Sequence, residues 1–348
     1  MFNRPASAAG VNVRALRADG AVTVVAEAAQ GFEGNLTLAR QLVRAAAAAG
    51  ADLVKFQLVY ANEIVAPSHQ HHGLFRDLEI PDADWQTIAD EARNEGIGLA
   101  CDVFGPRSLA LACAIGVDAV KIHASDALNH ALVADALAKT PHVYLSTGGL
   151  LPGEVSDLVR RHGGARARLT LLYGYQAEPT PTGDNHLRRL TALAERCPGI
   201  GLGFMDHAEG GSDEATWLAL MALPLGVTLI EKHLTLDREL RLEDYVSATS
   251  PADFALFVRR LRSAEQALGR PDLGLTAGEA AYRRKALKVV IAARDLPAGH
   301  VVCAGDVRLL RTPLDSACVP LVDLERAHGR TLRGPLVAGA ALSESNLQ

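Results

Sequence analysis

Two histidines stand out because each one follows a short run of mostly apolar residues. His207 ends Met205-Asp206-His207, and His233 ends Glu231-Lys232-His233. Two imidazoles with water or substrate oxygens suit Mn²⁺, Fe²⁺, Co²⁺ or Zn²⁺ better than Ca²⁺ or Mg²⁺. If the two runs are adjacent strands of one sheet, the imidazoles can share one ion. We therefore predict a divalent-metal site at His207 and His233; the alternative is two hydrogen-bonding histidines at loop starts.

Two lysines, Lys55 and Lys121, each interrupt an otherwise apolar run. A buried ammonium group is costly unless it meets an anion, so we predict a cradle for phosphate or carboxylate. The alternative is an internal ion pair with Glu27 or Asp102. Lysine also forms Schiff bases, so a class I aldolase mechanism stays open on chemistry alone.

Polar groups end almost every apolar run of the chain. Glu27 precedes a glycine-bearing loop at 30–34, where a carboxylate can act as a general acid or base or can partner a lysine. Ser146-Thr147-Gly148-Gly149 offers hydroxyl and N–H groups to a phosphate, and it also fits a plain turn. The full set of strand-end candidates is Glu27, Lys55, Gln57, Asp102, Lys121, His123, Ser146, Thr147, Tyr173, Gln176, Asp206, His207, Glu231 and His233.

One fold brings all of these strand ends together. Continuous apolar runs alternating with helical patterns predict a parallel sheet covered on both faces. Eight such units indicate a closed (β/α)₈ TIM barrel, whose C-terminal rim carries the chemistry; a doubly wound open sheet is the alternative. The predicted strands are 22–26, 53–58, 97–101, 119–122, 142–145, 169–173, 200–204 and 227–230, and the predicted helices are 36–48, 84–95, 106–115, 131–138, 154–162, 186–197, 213–222 and 252–268.

The composition and the apolar pattern of the sequence change after Leu268. Residues 271–284 are predicted to be a linker, which separates a barrel domain at 1–270 from a small module at 285–348. Short apolar segments punctuated by Gly and Pro predict that this module is mostly β. A module of this size buries little by itself, so we expect it to lean on the barrel or on a second subunit.

Composition excludes several classes of protein. The chain has 348 residues, of which 49% are apolar, and a formal net charge of -5. The sequence has no basic, aromatic-rich stretch, so we predict no nucleic-acid or membrane partner. Scattered cysteines without a CxxC motif predict a reduced, cytoplasmic protein. Residues 1–20 lack a long apolar core, so we predict no signal peptide, and no apolar run is long enough to span a membrane.

The strand-end residues lie within longer motifs. These are Val25-Ala26-Glu27, the run 50–57, Leu145-Ser146-Thr147-Gly148, Pro179-Thr180-Pro181, Asp206-His207 and the run 231–238 with its Glu-Lys-His-Leu-Thr-Leu-Asp-Arg. Together they resemble the sialic acid synthase family, whose members condense phosphoenolpyruvate with an N-acylated hexosamine such as N-acetylmannosamine. Residues 287–347 resemble the antifreeze-like (SAF, β-clip) domain that follows the barrel in that family.

The resemblance implies roles for particular residues. A manganese-type ion would bind at His207 and His233, with Co²⁺, Fe²⁺ or Zn²⁺ as alternatives, and Glu27 would be the general acid or base. The SAF domain would cap the barrel of a second subunit, so that a domain-swapped homodimer completes the site. The implied ligand contacts are Lys55, Gln57, Lys121 and Ser146 at phosphoenolpyruvate, Glu231 and Asp244 at the sugar, and Arg311 at the N-acyl group of the acceptor.

Several positions depart from the family pattern. Asp102 stands where a hydroxyl is usual, Met205 replaces a serine, and Glu178 replaces the tyrosine before Pro-Thr-Pro. A buried, unpaired polar group weakens ligand binding by roughly 1–3 kcal/mol, so the acceptor sugar stays open. The remaining departures are Gly31-Phe32-Glu33-Gly34 for Asn-His-Asn-Gly, Asp244-Tyr245 for the Asp-His of a Gly-Pro-Asp-His segment, and Leu314-Asp315-Ser316 for the SAF Gly-Asn-Gly loop.

The leading hypothesis is a metal-dependent synthase that joins phosphoenolpyruvate to an aldose and yields a nonulosonic, sialic-acid-like 3-deoxy-2-keto acid. The alternatives are a metal-dependent aldolase or lyase that does not use phosphoenolpyruvate, and a non-catalytic sugar-acid binding protein. We predict catalytic roles for Glu27, Lys55, Lys121 and Asp244, and substrate contacts for Gln57, Asp102, Ser146, Thr147, Gln176, Glu178, Glu231 and Arg311.

Overall fold

The computed structural model describes residue 17 and residues 20–313 and 319–348 of the chain. Eight parallel strands close into one barrel in chain order, with the last strand paired to the first. This confirms the predicted TIM barrel over the open doubly wound sheet. The barrel strands are β1 (Thr23–Ala29), β2 (Leu53–Gln57), β3 (Gly98–Val103), β4 (Ala119–Ile122), β5 (Val143–Ser146), β6 (Leu169–Tyr173), β7 (Gly201–Asp206) and β8 (Leu229–His233).

Helices connect the strands and cover the outside of the barrel. A continuous core forms between the strands and helices, with Trp85 packing edge-on against Phe32 and Phe56. Among the described residues, no helix is both long and apolar enough to cross a membrane. The helices of the barrel unit are α1 (Leu36–Ala49), α2 (Ala61–Ile64), α3 (His72–Asp77), α4 (Asp82–Glu95), α5 (Pro106–Ile115), α6 (His130–Lys139), α7 (Pro152–His162), α8 (Arg189–Arg196), α9 (Glu214–Ala222) and α10 (Pro251–Leu268). The remaining helix, α11 (Ala277–Ala286), belongs to a second compact unit.

The strands that carry the candidate site continue past the apolar runs that predicted them. In β7 and β8 the ladder pairs Asp206 with Lys232, and β1 pairs Glu27 with His233. His233 is therefore the last residue of a strand and not the first residue of a loop. The sequence prediction ended these strands too early because polar residues at a barrel rim do not look like strand interior.

The segment predicted as a linker is partly helical. Helix α11 begins within residues 271–284, where we expected irregular chain. Thr276 and Glu279 form a capping box at its start, which satisfies two N–H groups of the first turn. Alanine and arginine in the following turns favour the helix. The chain divides into two compact units, with the boundary between Gly269 and Arg270.

The C-terminal unit is mostly β, as predicted. Strands β9 (Val289–Ala292) and β10 (Val307–Leu310) pair antiparallel, and isolated bridges join the remaining short segments. Its small core includes Val290, Leu332 and Leu342. The predicted departure at Leu314-Asp315-Ser316 lies outside the described residues, as do Cys318 and most of residues 1–20. The four described cysteines, Cys101, Cys113, Cys197 and Cys303, are free thiols.

One apolar layer fills the barrel interior. Each strand contributes one buried side chain to it, and the large ring of Tyr144 lies in this layer. Side chains two residues apart on a strand face the same side, so the next inward-facing residue of each strand is two positions further on. The layer consists of Val25, Leu53, Ala100, Ala119, Tyr144, Leu172, Met205 and Leu229.

Candidate active site

A polar layer lies above the apolar one, at the C-terminal end of the barrel. Moving two residues along each strand replaces apolar side chains by groups that ionise or hydrogen-bond. Gly174 is the exception, and a side chain there would collide with the carbonyl oxygen of Met205. The members of this polar layer are Glu27, Lys55, Asp102, Lys121, Ser146, Gly174, His207 and Glu231, and all of them are buried.

The two lysines of this layer are held by three carboxyl groups. Lys55 Nζ contacts the carboxyl group of Glu27, lies 2.9 Å from Asp102 Oδ1 and 3.7 Å from Glu231 Oε2. Lys121 Nζ donates to Glu231 Oε1 at 2.6 Å and lies 4.0 Å from both Glu27 and Asp102. Lys55 therefore forms the internal ion pairs with Glu27 and Asp102 that we gave as the alternative, whereas the close partner of Lys121 is Glu231.

Burial and the two ammonium groups set the protonation of this network. Burial raises the pKa of Glu27 to about 8, because the attraction of Lys55 only partly offsets desolvation. Burial also opposes ionisation of Glu231, yet Lys121 and Lys55 outweigh it and hold the Glu231 pKa at about 2. At neutral pH Glu27 therefore keeps its proton, whereas Glu231 is ionised.

The same carboxyl groups disfavour the Schiff-base alternative. Burial alone would lower the pKa of Lys55, but Asp102, Glu231 and Glu27 together raise it well above its ordinary value. A Schiff-base lysine must be a free amine to attack a carbonyl. Lys55 is therefore a fixed positive charge.

Four buried polar atoms in the polar layer lack a hydrogen-bond partner among the described residues. Buried polar atoms in folded proteins nearly always have one, so such a group of unpaired atoms marks where a ligand makes the missing contacts. All four face the mouth formed by the strand ends. The atoms are Asp102 Oδ2, Ser146 Oγ, His207 Nδ1 and Glu231 Oε2.

The two predicted metal ligands lie side by side. The imidazole centroids of His207 and His233 are 5.0 Å apart. Burial, followed by the positive charge of Lys121, lowers the pKa of His207 to about 4, and burial lowers that of His233 well below its usual value. Both rings are therefore neutral at physiological pH, which is the form that binds a metal. The unpaired Nδ1 of His207 and these neutral rings fit a divalent transition metal.

Glu178 joins this pair. One ligand atom each from Glu178, His207 and His233 can lie within 4.8 Å of one another. The sequence analysis placed Glu178 only among the substrate contacts. One feature of the sequence could have indicated a role at the metal site. Glu178 is a carboxylate in the loop after β6, and the next two strands lead to the two histidines.

The other predicted residues divide between the mouth and its walls. Gln57 accepts a hydrogen bond from Gln30 at 2.7 Å, and Asp244, at φ 63°, lies in the loop after β8 next to Glu178. Gln176 lies in the loop after β6, beside Gly148. Thr147 is committed to the wall, because both its N–H and its hydroxyl donate to the carbonyl of Leu172.

Two predicted residues lie away from the polar layer. Asp206 faces the outside of the barrel, where its carboxylate accepts from Lys232 Nζ at 2.7 Å with both side chains fully buried. This ion pair has a structural role between strands and helices. Arg311 belongs to the C-terminal unit, where its Nε donates to the carbonyl of Ala286 at 2.8 Å.

Comparison with known proteins shows which family the chain resembles. The profile of the NeuB family matches residues 42–272, and that of the SAF domain matches residues 288–348. The N,N'-diacetyllegionaminic acid synthase of Legionella pneumophila is 27% identical over 307 residues, which cover 83% of this chain and 85% of that protein. The N-acetylneuraminate-9-phosphate synthase of Mus musculus is 24% identical over 289 residues, 79% of each chain. The solved N-acetylneuraminic acid synthetase of Leptospira borgpetersenii superposes with a TM-score of 0.70 at 25% identity, covering 76% of this chain and 92% of that one.

Proposed function

The chain belongs to the NeuB family and is a sialic acid synthase-like enzyme, and from this premise we propose a metal-dependent condensation of phosphoenolpyruvate with an N-acylated aldose. The observation that carries the proposal is the buried pair of lysines, Lys55 and Lys121, next to two neutral histidines in one barrel mouth. Fixed ammonium groups suit a substrate with phosphate and carboxylate charges. Neutral imidazoles suit a divalent ion.

The proposed reaction joins the two substrates and releases inorganic phosphate. C3 of phosphoenolpyruvate forms a bond to the aldehyde carbon of the acceptor, water adds at C2, and inorganic phosphate leaves with cleavage of the C2–O bond. His207 and His233 would hold a divalent ion, which would supply Lewis-acid polarisation of an aldehyde oxygen. Glu27, protonated at neutral pH, donates its proton to the oxygen that becomes a hydroxyl, and its carboxylate then accepts a proton from the attacking water.

The lysines bind the anionic donor by exchanging partners. Lys55 contacts both Glu27 and Asp102, so an anionic donor competes with these carboxyl groups for the ammonium group. The unpaired hydroxyl of Ser146 is free to donate to the donor's oxygens. Gln57 lies at the same rim, so we assign it to the donor as well.

We assign the acceptor to the other side of the mouth. Glu231, Glu178 and Asp244 offer hydrogen-bond acceptors to sugar hydroxyls. The similar synthases differ in the product that their names state, so the N-acyl pattern of the acceptor is left open. We further propose that Arg311 contacts the N-acyl group across a domain-swapped homodimer.

One assay tests the proposed function. The protein is incubated with Mn²⁺, phosphoenolpyruvate and a panel of aldoses that includes N-acetylmannosamine, di-N-acetylated deoxyhexoses and plain aldoses, and inorganic phosphate is measured. We expect phosphate release that requires both the metal and one class of aldose. No release with any member of the panel would count against the proposal.

A second candidate is a metal-dependent aldolase or lyase that does not take phosphoenolpyruvate. The contact of Asp102 with Lys55 at 2.9 Å favours it, because a carboxylate here competes with an anionic donor. Calorimetry separates the two candidates. Metal binding without any heat of phosphoenolpyruvate binding, in the presence of the metal, would favour the aldolase or lyase.

A further inference from the structure

We propose that Glu178 is a third protein ligand of the metal, so that this chain holds its ion with two histidines and one carboxylate. The proposal rests on the proposed function only in taking His207 and His233 as metal ligands. The ligand atoms of the three residues lie within 4.8 Å of one another, although they come from two strand ends and a separate loop. The resemblance implies only the two histidines, and the family pattern has a tyrosine at the position of Glu178.

The backbone ties the Glu178 loop to His207. Thr180, two residues after Glu178, donates its N–H to the carbonyl of His207 at 2.8 Å. The Thr180 hydroxyl turns back and donates to the carbonyls of Tyr175 at 2.6 Å and Ala177 at 3.0 Å. The loop is thus bonded to the residue that supplies the metal's imidazole, and Glu178 lies inside the bonded segment.

Hydrogen bonds from Ser247 and Thr249 also hold the backbone at the two histidines. Ser247 donates its hydroxyl to the carbonyl of His207 at 3.1 Å, and Thr249 donates both its N–H and its hydroxyl to the carbonyl of His233 at 3.0 Å. These bonds hold the backbone at both strand ends. A backbone held in this way keeps the two imidazoles beside each other, with their centroids 5.0 Å apart.

Asp244 gives Glu178 a neighbour that can orient it. Its carboxyl group lies near that of Glu178, and its backbone lies in the left-handed region at φ 63°. A carboxylate that binds a metal is commonly oriented by a second hydrogen-bonding group, and the loss of such a group typically weakens metal binding about 10- to 100-fold. Asp244 is therefore a positioning residue for Glu178.

The number of protein ligands determines whether the ion binds before the substrates or together with them. A site with two histidines must complete its coordination with water and substrate oxygens, whereas a two-histidine, one-carboxylate face binds the ion before substrate and leaves positions open for substrate oxygens. We therefore expect the full chain to bind Mn²⁺ in the absence of phosphoenolpyruvate and sugar, with an affinity that depends on Glu178.

The test is Mn²⁺ binding to the full chain, measured by calorimetry and by the Mn²⁺ electron paramagnetic resonance signal, without substrates. Glu178→Gln should weaken binding at least about 10-fold, since a ligand contributes no less than a group that orients one. Glu243→Gln is the matched control, because Glu243 adds negative charge near Glu178 but belongs to no ligand group. It should shift the affinity less than about threefold.

A rescue variant separates ligation from charge. Glu178→His carries no negative charge at neutral pH but offers a nitrogen ligand, so it should recover most of the affinity that Glu178→Gln loses. Unchanged affinity in Glu178→Gln would overturn the proposal. So would equal weakening in Glu178→Gln and Glu243→Gln, or the absence of Mn²⁺ binding by the unmodified chain. Thermal melting curves confirm that each variant is folded.

The outcome is independent of the proposed function. Glu178-dependent Mn²⁺ binding without phosphate release from any aldose would support the ligand assignment and count against the synthase reaction. Phosphate release together with unchanged Mn²⁺ affinity in Glu178→Gln would do the opposite.

Discussion

Replacing Glu27 by Gln removes the group assigned to proton transfer and keeps the shape of the side chain. Glu27 Oε1 accepts a hydrogen bond from the N–H of Ala29 at 2.8 Å, which a glutamine oxygen also accepts. The contact of Oε2 with Lys55 is weakened, but Lys55 retains Asp102 at 2.9 Å. We therefore expect a folded variant that loses about 1–2 kcal/mol of stability.

The pKa of Glu27 sets the expected pH dependence. Burial raises it to about 8, so the protonated acid predominates at neutral pH and is lost as the pH rises through that value. The pH profile of kcat/KM reports groups of the enzyme before phosphoenolpyruvate and sugar bind. If the proton of Glu27 is needed, kcat/KM is flat below about pH 8 and falls about tenfold per pH unit above it.

The assay is phosphate release at saturating Mn²⁺ between about pH 6 and about pH 10. Glu27→Gln should turn over about 10²- to 10⁴-fold more slowly and should lack the alkaline decline. Glu243→Gln is the control, since burial and then Asp244 also raise the pKa of Glu243, which has no assigned role. The reasoning is refuted if Glu243→Gln removes the decline and Glu27→Gln keeps it, or if Glu27→Gln is within about threefold of the unmodified rate.

Three further predictions concern charge and assembly. Lys121→Met should lower the free energy of unfolding by about 3–5 kcal/mol in urea titrations, because it removes the 2.6 Å partner of Glu231 in a buried site. Lys139→Met, at the exposed pair with Asp135, should lower the free energy of unfolding by under about 1 kcal/mol. Equal losses in the two variants would contradict the role of burial. Asp102→Ser should lower the KM for phosphoenolpyruvate about tenfold by freeing Lys55, and a raised KM would mean that Asp102 assists the donor. Arg311→Ala mixed with Glu27→Gln should regain about a quarter of the unmodified activity, since random pairing gives one intact site in half of the dimers; activity no greater than the sum of the separate variants would refute a shared site.

The barrel could be predicted from sequence because a parallel sheet covered on both faces leaves a simple pattern. Each buried strand appears as an apolar run, and each helix appears between two runs. The period of two also places the site, since Glu27 follows Val25 and Lys55 follows Leu53 on the same face. What the pattern does not carry is the end of a strand, because ladder pairing continues through polar residues such as Asp206.

The partners of each side chain were harder to predict. The sequence alone did not decide whether Lys55 binds an anionic ligand or forms an internal ion pair. The answer depends on distances across the barrel between residues that are far apart in the chain. Asp206 was a strand-end candidate, yet its position within β7 turns it outward to Lys232. Glu178 lies in a loop without periodicity, and only the bond from Thr180 to His207 brings it to the metal site.

Asp102 and Glu178, two of the carboxyl groups that depart from the family pattern, act on opposite halves of one site. Asp102 occupies Lys55 and so weakens the site for an anion, whereas Glu178 adds a ligand oxygen beside His207 and His233 and so strengthens the site for a metal ion. If both act as proposed, a bound ion returns positive charge to a mouth that Asp102 has neutralised, and phosphoenolpyruvate binds more tightly after the metal than before it. Because coupling between two ligands is reciprocal, phosphoenolpyruvate must then tighten Mn²⁺ by the same factor. Calorimetric titrations in both orders measure this factor twice, and a factor of one would break the link between the two carboxylates.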